Sequence, residues 1–173
     1  MNFLTSQSEN FMENKSLKCA EAQMLIRKPV TEVFEAFINP AITKYFWFTK
    51  SSGSLQEGKT ITWEWEVYNV SEKIFVRKIL PNKKISIEWE NPVTTVDFDF
   101  EIMSNDSTYV TIEHCGFQQT GDDLLKKIND TTGGFTTVLD GLKAYLEHGI
   151  NLNLIADKFP KKQMATRSNS KAE

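Results

Sequence analysis

Residues 60–117 alternate apolar and polar side chains in five short runs, most of them separated by a turn signal. Ile61, Trp63, Trp65 and Val67 share one face of the first run, with Thr62, Glu64, Glu66 and Tyr68 on the other. A period of two marks a strand with one buried face. A turn over 69–72 then predicts a second strand at 73–80. Ile85, Ile87 and Trp89 alternate with Ser86, Glu88 and Glu90. Val96, Phe98, Phe100 and Ile102 alternate with Asp97, Asp99 and Glu101. Val110, Ile112 and His114 alternate with Thr111 and Glu113. Pro81-Asn82, Asn91-Pro92 and Asn105-Asp106 supply the turns. Connections this short require antiparallel neighbours, a meander.

Helical patterns flank the meander. Residues 17–26 predict a first strand with Ala20, Ala22, Met24 and Ile26 on one face. Pro29 suits a helix start, and Val30, Val33, Phe34, Phe37 and Ile38 follow as one apolar stripe. Asn39-Pro40 ends that helix and starts a second short one through Tyr45-Phe46. Residues 50–58 read as a loop. After Gly116, a short helical segment is predicted at 122–128 and a long helix at 132–148. Phe135, Val138, Leu139, Leu142, Tyr145 and Leu146 stripe that helix. Gly149 suits its C-cap, and His148 complements its negative end. The Gly133-Gly134 doublet reads as close backbone packing at its start. The organisation is then a flexible N-terminus (1–15), one domain (16–150) and a largely disordered tail (151–173).

Composition narrows the function classes. A chain of 173 residues, 40% hydrophobic and 25% charged, fits one ordinary globular domain. A net charge of -3 gives no drive toward nucleic acid or anionic membrane. Lys158, Lys161, Lys162 and Arg167 cluster in the tail and read as a solvated terminus. No segment has the apolar core of a signal peptide or the ~20 apolar residues of a membrane span. The expectation is a cytoplasmic protein whose Cys19 and Cys115 are reduced, since no local feature pairs them. No Cys/His spacing suggests zinc, so no metal or cofactor is expected. No GxSxG, HExxH or phosphate-cradling loop is present, and no catalytic residue is assigned.

Four stretches resemble one family. Arg27-Lys28-Pro29-Val30 with Val33-Phe34 and Phe37 is similar to its strand-to-helix signature. Pro40 with Tyr45, Phe46 and Trp47 is similar to its second helix. His114-Cys115-Gly116-Phe117 resembles the Gly-Phe that closes its last strand. Gly133-Gly134-Phe135, with Leu139, Leu142 and Tyr145-Leu146-Glu147, resembles its final helix, where Gly-Trp is usual. The chain thus resembles the START-like (SRPBCC, Bet v 1-like) superfamily, in the group of the activator of Hsp90 ATPase homologue C-terminal domain. The resemblance implies an α+β helix-grip fold. A curved antiparallel sheet of about six strands would wrap a long C-terminal helix, with two short helices after the first strand. It also implies a hydrophobic cavity able to bind lipids or other apolar molecules, or to host chemistry, or a filled interior. A stress-related, co-chaperone-like role is the further implication of the family name.

The candidate cavity residues are Trp47, Trp63, Trp65, Trp89, Phe98, Phe100, His114, Phe135, Val138, Leu142 and Tyr145. The bland alternative for each aromatic is core packing. Strand parity points His114 inward, as a polar anchor, a proton shuttle or a satisfied core histidine. A Tyr145–His114 polar pair is expected if both are buried. Trp47 and Phe48, with Glu57 and Lys59, are candidate lip residues. Glu64, Glu66, Glu88, Glu90, Asp97, Asp99 and Glu101 read as an acidic outer face suited to a basic partner. Three functions remain: a binder of a small hydrophobic or amphipathic ligand, a chaperone-interaction module, or a cyclase- or hydrolase-type enzyme. Either a monomer or a homodimer is compatible with each.

Overall fold

The computed structural model of the chain describes residues 19–160. The flexible N-terminus expected at 1–15 and the tail beyond 160 lie outside the described residues. Seven antiparallel strands form one sheet in the order β1-β7-β6-β5-β4-β3-β2. They are β1 (Cys19–Ile26), β2 (Lys50–Ser51), β3 (Thr60–Trp65), β4 (Val70–Leu80), β5 (Lys84–Trp89), β6 (Thr94–Ser104) and β7 (Ser107–Cys115). The first and last strands pair, so the meander β3 to β7 is closed at one edge by β1. Helices α1 (Val30–Ile38) and α2 (Pro40–Thr43) follow β1. The long α3 (Gly121–His148) packs along the sheet, chiefly against β1. This is the helix-grip architecture, with one strand more than expected. The extra strand, β2, is a two-residue pair with β3 inside the stretch read as a loop.

Several boundaries differ from the sequence pattern: α2 ends at Thr43 rather than running through Tyr45-Phe46, and β4 begins at Val70 rather than at 73. β3 stops at Trp65, and Glu66–Tyr68 form a 3-10 turn that ends on a left-handed Asn69. Val67 therefore leaves the strand and is 40% exposed. Residues 122–128 and 132–148 are one 28-residue helix, not two. Gly133-Gly134 lies inside it, and a methyl at Gly134 would meet nothing within 4 Å. The doublet lowers helix propensity without breaking the hydrogen-bond ladder, and it packs against no backbone: a Cβ at Gly133 would meet only Lys158 Nζ, at 3.4 Å. The segment after Gly149 is not wholly irregular, because Leu154–Lys158 form α4. Lys158 is not a free terminal charge, since its Nζ donates to the Gly133 carbonyl and, at 2.6 Å, to Thr137 Oγ1.

Local capping fixes the grip. Asn39 accepts from the Ala41 amide at 3.0 Å and starts α2. Gly149 adopts the left-handed C-cap with φ 67°, and His148 is the last residue of α3. Glu147 accepts from the Arg27 amide (2.7 Å) and Lys143 (2.6 Å), while Lys143 also donates to the Leu25 carbonyl at 2.8 Å. These bonds tie the end of α3 to the end of β1. Gly141 lets α3 approach the chain at Phe46, where a Cβ would sit 3.1 Å from Phe46 Cβ and 3.3 Å from its carbonyl oxygen.

The cysteines correct a second expectation. The β1–β7 register sets Cys19 directly opposite Cys115, with Cα atoms 4.3 Å apart, and they form a disulfide. They are not reduced thiols in this structure. The pairing arises from non-local strand register, which no local sequence signal carries. With Glu113 they form a cluster of metal-ligating atom types, but the sulfurs are bonded to each other and leave no thiolate ligand. No helix among the described residues is long and apolar enough to cross a membrane.

Candidate functional site

Alternating strand positions deliver an aromatic cluster to the inner face. Trp63 of β3, Trp89 of β5 and Phe98 of β6 meet Phe135 of α3 and Trp47 from the segment after α2. Ring centroids are 4.8 Å apart for Trp47–Trp63, 5.6 Å for Trp63–Trp89 and 6.4 Å for Trp89–Phe135. Phe98 sits 5.9 Å from Trp47, and Phe100 sits 5.6 Å from Phe37 of α1. Trp65, Trp89 and His114 lie parallel in a row across the sheet, at 6.3 Å and 6.0 Å. Val138 and Leu142 are buried in the same core. Ten of the eleven candidate residues are thus in or against one apolar cluster.

Tyr145 is the exception. It stacks on Tyr45 at 4.5 Å, while His114 contacts Phe135 at 5.9 Å. Ten residues of helix separate Phe135 from Tyr145, about 15 Å of rise. The expected Tyr145–His114 pair therefore does not form. Trp47 and Phe48 are not lip residues either, being 7% and 2% exposed, and Phe48 stacks on Trp63 at 4.7 Å. Glu57 is exposed and accepts from the Ile79 amide at 2.9 Å, and Lys59 is exposed. A surface pocket of about 160 Å³ lies between the segment after α2, Gly141 and residues 151–156, and of the eleven candidates only Trp47 lines it. Tyr68 braces that segment by donating to the Ile155 carbonyl.

His114 is 1% exposed and held by a residue that the sequence pattern missed. Its Nε2 lies 2.7 Å from Thr94 Oγ1, and Thr94 donates to the Trp89 carbonyl at 2.6 Å. Thr94 opens β6 after the turn that carries Asn91-Pro92. Gly116, at φ 95°, passes 3.5 Å from Thr94 Cα measured from an ideal Cβ, and turns Phe117 onto His114 at 4.7 Å. The Gly-Phe signature thus walls in the histidine. Desolvation by burial pushes the imidazole from 6.5 down to about 4; Glu90 opposes the shift and Lys127 adds to it. Three buried polar atoms among the described residues have no hydrogen-bond partner: Trp63 Nε1, Trp89 Nε1 and His114 Nδ1. All three belong to this cluster.

The outer face is less acidic than expected. Lys84 bridges Asp97 (2.9 Å) and Asp99 (3.0 Å), Arg77 pairs with Glu88 (3.5 Å) and Lys50 with Glu64 (3.6 Å). Glu66 lies in the 3-10 turn, and Glu90 reaches Lys127 of α3 at 2.8 Å, so neither continues the outer row.

Residues 27–147 match the family described as Activator of Hsp90 ATPase homolog 1-like protein. The chain belongs to that family. Protein SSP2350 from Staphylococcus saprophyticus is 30% identical, with a TM-score of 0.70 over 78% of this chain and 95% of that one. The Aha1 dimer from Colwellia psychrerythraea is 21% identical, with a TM-score of 0.65 over 76% of this chain and 97% of its own. MLL2253 from Mesorhizobium loti is 17% identical, with a TM-score of 0.65 over 75% and 97%. The last two establish likeness of fold alone. No curated protein matches the chain. The matched residues 27–147 span the four stretches that carry the resemblance in the sequence.

Proposed function

We propose that this domain binds a small, largely apolar molecule at the aromatic cluster, beside His114. One observation carries the reading: three ring nitrogens are buried without partners in an otherwise apolar cluster. An unmet buried polar atom costs about 1–3 kcal/mol, so three together are an expensive feature for mere packing. Apolar sites use a few such groups to orient a ligand. A basicity near pH 4 makes His114 a hydrogen-bond acceptor at neutral pH and a poor general base, which favours binding over catalysis. The chaperone-interaction reading draws on the family name, but the outer acidic residues it would use are largely ion-paired.

All four tryptophans of the chain, Trp47, Trp63, Trp65 and Trp89, belong to the cluster or pack against it. Intrinsic fluorescence therefore reports the cluster, and because Trp47 also lines the surface pocket, loss of the response in Trp63→Phe or Trp89→Phe distinguishes the two places. Titration with medium-chain alcohols, isoprenols and bicyclic aromatics is expected to give saturable changes for at least one class. Flat responses to every class would sink the reading.

A further inference from the structure

We propose that the outer face of the β1–β7 pair is a redox-gated metal site, where Cys19, Cys115 and Glu113 hold one zinc-class divalent cation once the disulfide is reduced. The site lies on the face opposite the aromatic cluster, because His114 points inward and its neighbours Glu113 and Cys115 point out. Strand register assembles it. Cys19 faces Cys115 and Glu21 faces Glu113, so two sulfurs and two carboxylates form one block on adjacent strands. Cys19, Cys115 and Glu113 bring their ligating atoms within 4.8 Å of one another. Glu113 Oε1 lies 3.1 Å from Cys115 Sγ, although a bonded sulfur has no proton to give it. Glu21 and Glu113 are like charges in directly opposite positions, a destabilising arrangement whose cost a cation removes. Asp97, beside Glu113 on β6, already has its cation in Lys84 at 2.9 Å, and among the described residues neither Glu21 nor Glu113 has one.

Reduction supplies the ligands. A dithiol passes two electrons and two protons to the Cys19–Cys115 bond and closes into its own cyclic disulfide. Binding of the cation then releases both thiol protons and leaves two thiolates. Two sulfurs on one tetrahedral zinc stand about 3.8 Å apart, given Zn–S bonds of about 2.3 Å. Facing Cα atoms 4.3 Å apart reach that separation by side-chain rotation, with the strand register unchanged. Glu113 is the third ligand, and water completes the tetrahedron beside the charge of Glu21. The two thiolates select zinc over magnesium or calcium, which take oxygen ligands. In the reduced chain the cation replaces the disulfide as the link between the first and last strands.

Cobalt(II), a coloured stand-in for zinc, tests the site in the full chain reduced with dithiothreitol and freed of it without oxygen. One cobalt per chain is expected, with sulfur-to-metal charge-transfer absorption and the visible bands of tetrahedral coordination, and zinc should displace it. The oxidised chain should show neither feature, and Cys19→Ser with Cys115→Ser should abolish the charge-transfer band. Glu113→Gln should keep that band and weaken cobalt binding about tenfold or more. Zinc at about 100 times its Kd should raise the unfolding midpoint of the reduced chain by about 5–10 °C and leave the oxidised chain unmoved. The site is overturned by a reduced chain without the charge-transfer band, by equal cobalt affinity in the oxidised and reduced chains, or by wild-type affinity in Glu113→Gln. If the reduced chain unfolds, zinc is expected to refold it, and a chain that stays unfolded with zinc overturns the site as well.

Discussion

A histidine kept neutral by burial ties stability to pH in one direction. The unfolded imidazole titrates near 6.5 and the folded one near 4, so between those values the unfolded chain binds more protons. Stability is full above pH 6.5 and declines as pH falls toward 4, by up to about 3 kcal/mol. Denaturant unfolding across that window should show the loss in the wild type and a flatter profile in His114→Gln. Parallel profiles would contradict the assignment. The inward placement of His114 was legible from strand parity alone. Thr94 was not, because its role depends on where β6 begins after an irregular turn. Tyr145 was misplaced for a different reason: helical stripe membership gives the face of a residue, not which strand it meets along the helix.

Among the elements, α3 offers a paired test. Gly134 lies in open space within the helix, so Gly134→Ala should add about 1 kcal/mol by propensity. Gly141 faces the backbone of Phe46, which cannot rotate away, so Gly141→Ala should cost about 1–3 kcal/mol despite the same propensity gain. Thermal or denaturant unfolding measures both, and matching signs would refute this account of the α3–Phe46 contact. The Cys19–Cys115 bond closes a separation of 96 residues, and its removal by reductant or by Cys19→Ser with Cys115→Ser should cost about 2–4 kcal/mol. An unchanged denaturation midpoint would count against a bonded pair. The strands of the meander were legible because their period is strict and their turns are marked. The unbroken helix was hidden by its two glycines, whose local cost does not interrupt a helix anchored by the buried residues from Phe135 to Leu142. The disulfide was hidden because register between the first and last strands is set by the whole sheet.

For the whole molecule, the grip is a sheet whose aromatic face is covered by α3 and by the Trp47-Phe48 segment. The fold and the family were readable from the order of elements and four short signatures. The site was readable only as a set of inward aromatics. The proposal that the cluster binds a ligand rests on the three unpartnered nitrogens, and hydrogen-bond satisfaction is visible only once the side chains are packed. The most direct measurement is a proton–nitrogen correlation spectrum of the indole groups during titration with naphthol. Four indole signals are expected, one for each tryptophan in the chain. The Trp63 and Trp89 signals should shift and saturate together, with residues 151–156 around the surface pocket unmoved. Shifts confined to residues 151–156, with Trp63 and Trp89 still, would contradict the account.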